Sequence, residues 1–443
     1  MDTRPPPSVH TVNTLMPSDL WSRPLLPTLV ASRWELLIGD RSTLEATRKK
    51  WKEASMFRTR ILAAVGLAAM CLAPVAPAQA EDVELPGNMV WVSYDVGATA
   101  YNSAVSIAAT LKNKTGTEVR ILPAKSDVAR LTPLKDGRAQ FATLGTDSIF
   151  SQEGVYEFGA PNLGPVPVRY VALSISQGST GLIVAADAGV ESAADLKGKR
   201  MAIVKGSPVS RRLNLSYLAF GGLDFDDVEV VEVASLKAGI DAVIDGRADT
   251  AISNTNNSDG VRVSSSNRGL TWLVTPHDDK EAWERMWKVS PWLIKHVATI
   301  GPDVPEAGLE MATLAYPIFS AVDQTDEELV YNFTKALFAY YDDFKDGYPS
   351  NAGFKLDSQR FSNVFVPIHP GAVRYYKEIG FWTPEFEARQ QRNLERQALL
   401  AEAWAEAKEK AGDDSDADFV KAWQTIRAEK LAAAGQDTVF EDW

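Results

Sequence analysis

From residue 90 onward the chain repeats one unit: a short apolar run, a turn of small polar residues, then apolar positions at helical spacing. Strands that alternate with short helices in this way predict parallel sheets with crossover helices. In such sheets a ligand sits beyond the carboxyl ends of the strands, where the turns gather. The first copy sets the pattern. An apolar strand ends at Ser93, a turn containing Gly97 follows, and Ala104, Val105, Ile107, Ala108 and Leu111 form a helical stripe. Backbone N–H groups at a helix start have no partner within the helix, so they suit an acceptor or an anion. Ser93, Tyr94, Asp95, Thr99, Tyr101 and Asn102 crowd that turn and make it a candidate pocket lip. The alternative is an ordinary turn whose polar residues only face water.

Later copies repeat the theme. Residues 118–122 read as a strand, and 126–137 as a helix opened by Ser126 and closed by Gly137. The strand at 141–144 leads into a second polar turn with Thr146 and Asp147, and 168–176 and 181–186 read as extended. A second unit then runs through strands at 201–204, 228–233, 248–252 and 270–274, with helices at 213–220 and 236–244. Its turns hold Ser207, Ser210 and Arg211, and a third polar loop with Asn254 and Asn256. Asp326 opens an amphipathic helix over 327–344. Residues 385–410 and 419–434 read as helices that wrap the first domain as an αα-hairpin, with a partner-binding tail as the other reading.

The N-terminal region reads differently. Residues 56–60 are basic, 61–72 are apolar without charge, and an A-x-A site follows at 78–80. This is the form of a secretory signal peptide, here cleaved after Ala80, and the run is too short for a comfortable membrane span. Residues 1–55 read as an upstream extension outside the fold. The only cysteine, Cys71, lies inside the leader, so the exported chain has no thiol. Residues 1–80 hold ten Lys/Arg and six Asp/Glu, which leaves 36 basic and 52 acidic residues after them, a net of −16. So acidic a body argues against a nucleic-acid partner, because that affinity rests on Lys and Arg neutralising phosphates.

Enzyme signatures are absent from the sequence. His277, His296 and His369 stand outside any metal-ligand spacing, and no nucleophile elbow, Walker loop or dinucleotide fingerprint occurs. No cofactor or metal is expected. His369-Pro370-Gly371 reads as a structural turn, with a pH-sensitive contact as its alternative.

Four segments carry a family resemblance: 91–102 (WVSYDVGATAYN), 194–204 (ADLKGKRMAIV), 297–300 (VATI) and 368–380 (IHPGAVRYYKEIG). Across residues 88–383 the chain is similar to the TAXI-type solute-binding proteins of tripartite ATP-independent periplasmic (TRAP) transporters. The resemblance implies an α/β, class II periplasmic-binding-protein fold, with two doubly wound lobes joined by a hinge and, here, a C-terminal helical extension. Lobe I would comprise 81–186 and 276–384, lobe II 187–275, and the extension 385–443. It implies a periplasmic receptor, not an enzyme, that captures a small organic solute of carboxylate or amino-acid type and delivers it to the TRAP membrane subunits.

The residues themselves suggest roles. Ser207, Ser210 and Arg211 at a helix start suit a carboxylate, which Arg grips as a fork; a solvated Arg211 is the alternative. Asp95 and Asp147 suit an ammonium or hydroxyls, Asp147 equally a helix cap, and Asn254 and Asn256 suit mixed donors and acceptors. Two other functions use the same scaffold: a receptor that presents its ligand-closed form to a membrane sensor, and an exported enzyme with a titratable pair in the cleft.

Overall fold

A computed structural model describes residues 83–411, 415–440 and 443. The leader, its cleavage site, Cys71 and the segment 1–55 lie outside the described residues.

The first sheet contains β1 (Asn88–Ser93), β2 (Glu118–Pro123), β3 (Phe141–Leu144), β4 (Val168–Leu173) and a strand from much later in the chain. The second is built from β5 (Thr180–Ala185), β6 (Arg200–Val204), β7 (Glu229–Val233), β8 (Thr250–Asn254) and β9 (Leu270–Trp272). A separate pair, β10 (Ile294–Ala298) and β11 (Leu309–Thr313), precedes β12 (Ile318–Val322). The orders are β2-β1-β3-β12-β4 and β7-β6-β8-β5-β9. Each five-stranded sheet thus has four mutually parallel strands and one antiparallel insert: β12 between β3 and β4, β5 between β8 and β9. Each insert is the strand on which the chain enters its sheet after a crossing, β5 from β4 and β12 from the β10–β11 pair. This doubly wound, twice-crossed arrangement is the two-lobed α/β fold expected from the sequence.

The lobe boundaries differ from expectation. The sequence reading ends lobe I's first part at 186, yet β5 pairs with β8 and β9 in the second sheet. It ends lobe II at 275, yet Met311 on β11 lies in the second lobe's core with Ile183 and Trp272. The crossings fall at about 174–179 and 314–317. Apolar periodicity marks β4 and β5 as consecutive strands, but it carries no information about which sheet each one joins.

Helices cover both sheets: α1 (Thr99–Thr115), α2 (Asp127–Lys135), α3 (Asp147–Glu153), α4 (Pro208–Phe220), α5 (Leu236–Ile244), α6 (Ser258–Ser264) and α7 (Lys280–Val289). After β12 come α8 (Glu327–Ala339), the short α9 (Tyr341–Phe344) and α10 (Pro370–Glu378). The anticipated caps form: Ser126, Ser235 and Asp326 each accept an N–H three residues on. The single helix expected over 327–344 is two, parted at Tyr340. In the first lobe Trp91, fully buried, meets Phe319 and Phe333 edge-on at 5.1 and 5.4 Å, and Phe141 stacks on Phe333 at 4.1 Å.

The last helices, α11 (Pro384–Ala411) and α12 (Asp416–Ala433), pack on each other through Leu400, Ala403, Ala407, Phe419, Trp423 and Ile426. They sit on the first lobe, as expected. Arg396 of α11 and Arg427 of α12 converge on the fully buried Glu153 of α3, with Glu153–Arg396 bonds of 2.7 and 2.8 Å and a Glu153–Arg427 bond of 2.5 Å. The Trp423 indole donates to the Gly154 carbonyl at 2.6 Å, and Gln390 bridges the N–H and C=O of Ile368 at 2.8 Å each.

Candidate functional site

The two crossing segments lie side by side: the Tyr316 N–H donates to the Ser174 carbonyl at 2.8 Å, and the Ser174 N–H to the Pro317 carbonyl at 3.0 Å. A cavity of about 330 Å³ opens against them, bounded by turns from both lobes. Gly97 and Thr99 come from the β1–α1 turn, Asn254, Asn256, Asn257 and Ser258 from the β8–α6 turn. Ser176, Gly178, Ser179, Leu314 and Tyr316 come from the crossings, Thr180 and Thr313 from the adjoining strand ends, and Tyr348 to Ser350 from the loop after α9.

Local sequence makes each wall. The first turn is tight because Gly97 adopts φ +89°, and Asn102 braces it by donating to the Gly97 carbonyl at 3.1 Å. Ala98 precedes α1 and supplies no side-chain cap, and the Ala100 amide faces the Tyr316 hydroxyl. On the opposite wall Thr180 donates to the Asn254 amide oxygen at 2.5 Å, and the Asn256 amide to Ser176 at 3.3 Å. Gly178 is required here, because a Cβ would come within 2.9 Å of Thr255 Oγ1 and 3.0 Å of Asn256 Cβ.

Behind the first wall lies a charged lock. Asp147, 1% exposed, accepts from Arg130 Nε at 3.0 Å, the Tyr94 hydroxyl at 2.9 Å and the Gly145 N–H at 2.6 Å. Arg130 also pairs with Asp127 and lies 3.7 Å from the centre of the Tyr94 ring, which meets Tyr316 edge-on at 5.6 Å. Burial, and then the Asp147 charge, push the Tyr94 phenol well above its ordinary range. Burial and the same charge raise Asp127 to about 7 against the pull of Arg130.

Of the sequence-predicted residues, the structure brings Thr99, Asn254 and Asn256 together at the cavity. The others fall elsewhere. Ser93 is buried in the sheet and bonded to Thr143 at 2.6 Å, and Tyr94 and Asp147 belong to the lock. Asp95 is exposed, bonded to the Val96 N–H at 3.0 Å and 4.0 Å from Lys125. Tyr101 is half-buried on the first turn of α1, outside the lining, and Asn102 is the turn's brace. Thr146 borders a separate apolar crevice of about 40 Å³ with Ile149, Leu173 and Trp292. The carboxylate grip expected of Ser207, Ser210 and Arg211 does not form at this cavity. Ser207 caps α4 by accepting from the Ser210 N–H at 3.2 Å, and Ser210 is buried against the Val204 N–H at 3.1 Å. Arg211 is exposed, with its guanidinium 4.2 Å from the Phe225 ring centre.

A model of the NMT1-like family matches residues 95–380. The chain belongs to the NMT1-like family. The matched span takes in every residue of the cavity lining and stops before the C-terminal helices. Among solved structures, this NMT1-like chain is similar to the alkanesulfonate-binding protein SsuA from Xanthomonas axonopodis pv. citri bound to MOPS. Identity there is 15% and the TM-score 0.38, over 80% of this chain and 95% of that one. It is also similar to the periplasmic aliphatic sulphonate binding protein SsuA from Escherichia coli, at 16% identity and TM-score 0.40, over 73% and 88% of the two chains. An ancestral arginine-binding protein bound to arginine matches at 14% identity and TM-score 0.34, over 67% of this chain and 99% of that one.

Sequence reasoning missed Ser176, Ser179, Thr180, Tyr316, Tyr348 and Ser350 in the lining of this NMT1-like chain. One signal was present: the polar run SQGST at 176–180 breaks an otherwise apolar stretch at the first crossing. Among the described residues no group of three or more His, Cys, Asp or Glu is placed to hold a metal ion, and no helix is long and apolar enough to cross a membrane.

Proposed function

We propose that the protein is an extracytoplasmic solute receptor, exported with cleavage after Ala80. It captures a small polar organic molecule between its lobes and passes it to a membrane transporter. The observation that carries this reading is a polar cavity whose walls come from both lobes and whose floor is the pair of crossing segments. A solute that touches both walls binds the closed arrangement more tightly than the open one, so binding itself drives closure. Such a cavity needs hydrogen-bonding groups and no nucleophile–base pair, which favours a receptor over an exported enzyme.

The test is native mass spectrometry of the protein isolated from its own periplasm. A bound small organic molecule supports the proposal. Bare protein, with no thermal shift across a panel of organic acids, amino acids, sugars and polyols, refutes it. The segments at 91–102, 194–204, 297–300 and 368–380 favour a TAXI-type partnership with a TRAP permease over an ATP-driven one. Uptake that collapses with the ion gradient and survives ATP depletion supports that partnership. The reverse pattern moves the protein to an ATP-driven system.

A further inference from the structure

Each charged group that the sequence offers for ligand recognition is engaged away from the cavity. Asp147 is held by three donors, Arg211 lies on Phe225, and Asp95 is on the outer turn. The cavity lining itself contains no Asp, Glu, Lys, Arg or His. What it does contain is neutral donors and acceptors, the hydroxyls of Ser176, Thr180 and Thr313 and the amides of Asn254 and Asn256 among them.

Two of these groups point to a missing partner. Ser179 and Ser350 are 2% and 3% exposed, and their hydroxyl oxygens have no hydrogen-bond partner. Ser179 lies at the first crossing and Ser350 on the first lobe, and both line the cavity. A buried hydroxyl without a partner is costly unless something fills the role, and such groups in native proteins call for an explanation. A solute bound between them supplies it.

The surrounding charge acts on the same choice. The Arg130 guanidinium, in the lock behind Tyr94 and Tyr316, is already engaged by Asp127 and Asp147 and is not offered to a solute. An anion in the cavity would find no cation in the lining, and a cation would find no carboxylate there. Burying an ion without a counter-charge is far more costly than burying a hydrogen-bonded hydroxyl.

Building on the receptor reading, we infer that the solute has no formal charge and presents several hydroxyl or carboxamide groups, two of which satisfy Ser179 and Ser350. The compound co-isolated with the periplasmic protein is identified, and binding to the full exported chain is measured for sorbitol, gluconate and glucarate. These three share a six-carbon polyol chain and carry zero, one and two carboxylates. The expected results are an uncharged co-isolated compound and, for any member of the series that binds, affinity falling at least ten-fold with each carboxylate. Ser179→Ala and Ser350→Ala each weaken binding of the co-isolated compound about ten-fold. Neither lowers the melting temperature of the empty protein, because neither hydroxyl has an internal bond to lose. A charged co-isolated compound, tightest binding by gluconate or glucarate, or undiminished affinity in both serine variants overturns the inference and leaves the receptor reading standing. An absence of any binding compound removes the receptor reading and this inference together.

Discussion

Replacing Glu153 by Gln tests what holds the C-terminal helices on the first lobe. The carboxylate is fully buried and receives bonds from two guanidiniums, two from Arg396 and one from Arg427. Burial alone would raise its pKa, yet Arg396 and Arg427 outweigh it and bring the group from 4.5 down to about 2. A carboxylate depressed by that much contributes roughly 3 kcal/mol at neutral pH, at about 1.4 kcal/mol per unit. That contribution is complete above pH 4.5 and is lost as pH falls through about 2. Removing one member of a buried ion pair typically costs about 3–5 kcal/mol, so the two routes agree. Arg427 is itself pulled below its ordinary range by burial, despite Glu153 beside it. A guanidinium keeps its proton all the same, so the lock depends on an ionised Glu153. Hydrogen exchange of the α12 amides reads the loss directly: roughly 100-fold less protection in Glu153→Gln, with β1 and β3 unchanged. Less than a five-fold change would refute the view that this triad fastens the extension.

Three further outcomes follow from named contacts. His369 caps α10 with Nδ1 accepting from the Gly371 N–H at 3.2 Å and Nε2 donating to the Thr325 carbonyl at 3.1 Å; burial, opposed by that carbonyl and by Asp326 and aided by Arg169, pushes it from 6.5 to about 4. The unfolded chain therefore takes the proton first: its stabilising contribution is complete above pH 6.5 and falls by roughly 3 kcal/mol toward pH 4, a slope that His369→Asn should flatten in urea titrations at stepped pH. Arg211→Ala should leave solute affinity within about two-fold, whereas Asn254→Ala, which strips a wall group bonded to Thr180, should weaken it about ten-fold by calorimetry. Gly178→Ala should weaken solute binding while leaving the β1–β2 pair of the first lobe intact by hydrogen exchange, because its Cβ would push against Thr255 and Asn256; unchanged affinity would show that the turn yields freely.

The sequence made the architecture legible wherever local chemistry decides structure. Ser126, Ser235 and Asp326 cap the helices that their positions announce, and the run at 141–144 becomes a fully buried strand leading into the turn with Thr146. What stayed hidden was decided by distant partners. Nothing near 180–185 says that β5 pairs with β8 at 250–254, and nothing near Asp147 says that Arg130 and Tyr94 will occupy its carboxylate. The candidate site divides the same way. Thr99, Asn254 and Asn256 lie on turns at strand ends, where the strand–turn–helix rule points. Ser179 and Ser350 lie at a crossing and in a loop of short turns, which acquire meaning only once the lobes meet.

Charge and polarity are sorted across this molecule by the task each position performs. Asp147 with Arg130, and Glu153 with Arg396 and Arg427, are buried ions whose partners are fixed within the chain. Such pairs are strongly directional and costly to break, which suits joints that stay closed whether or not a solute is present. Under the proposed receptor function, the cavity must instead be stable while empty and selective while full. Neutral hydroxyls and amides suit both demands of the proposed receptor, since water can satisfy them while the cavity is empty and a matched solute can replace that water. The Glu153 joint also has reach beyond the first lobe. The terminal segment that follows α12 brings the Val439 carbonyl to Arg212 of α4, at 2.5 Å, and Phe440 to within 5.9 Å of the Trp292 ring. Among the described residues, the extension is therefore fastened to one lobe by ions and touches the other through the Arg212 guanidinium and aromatic rings. If the lobes move against each other on binding, that weaker contact is where the extension must give.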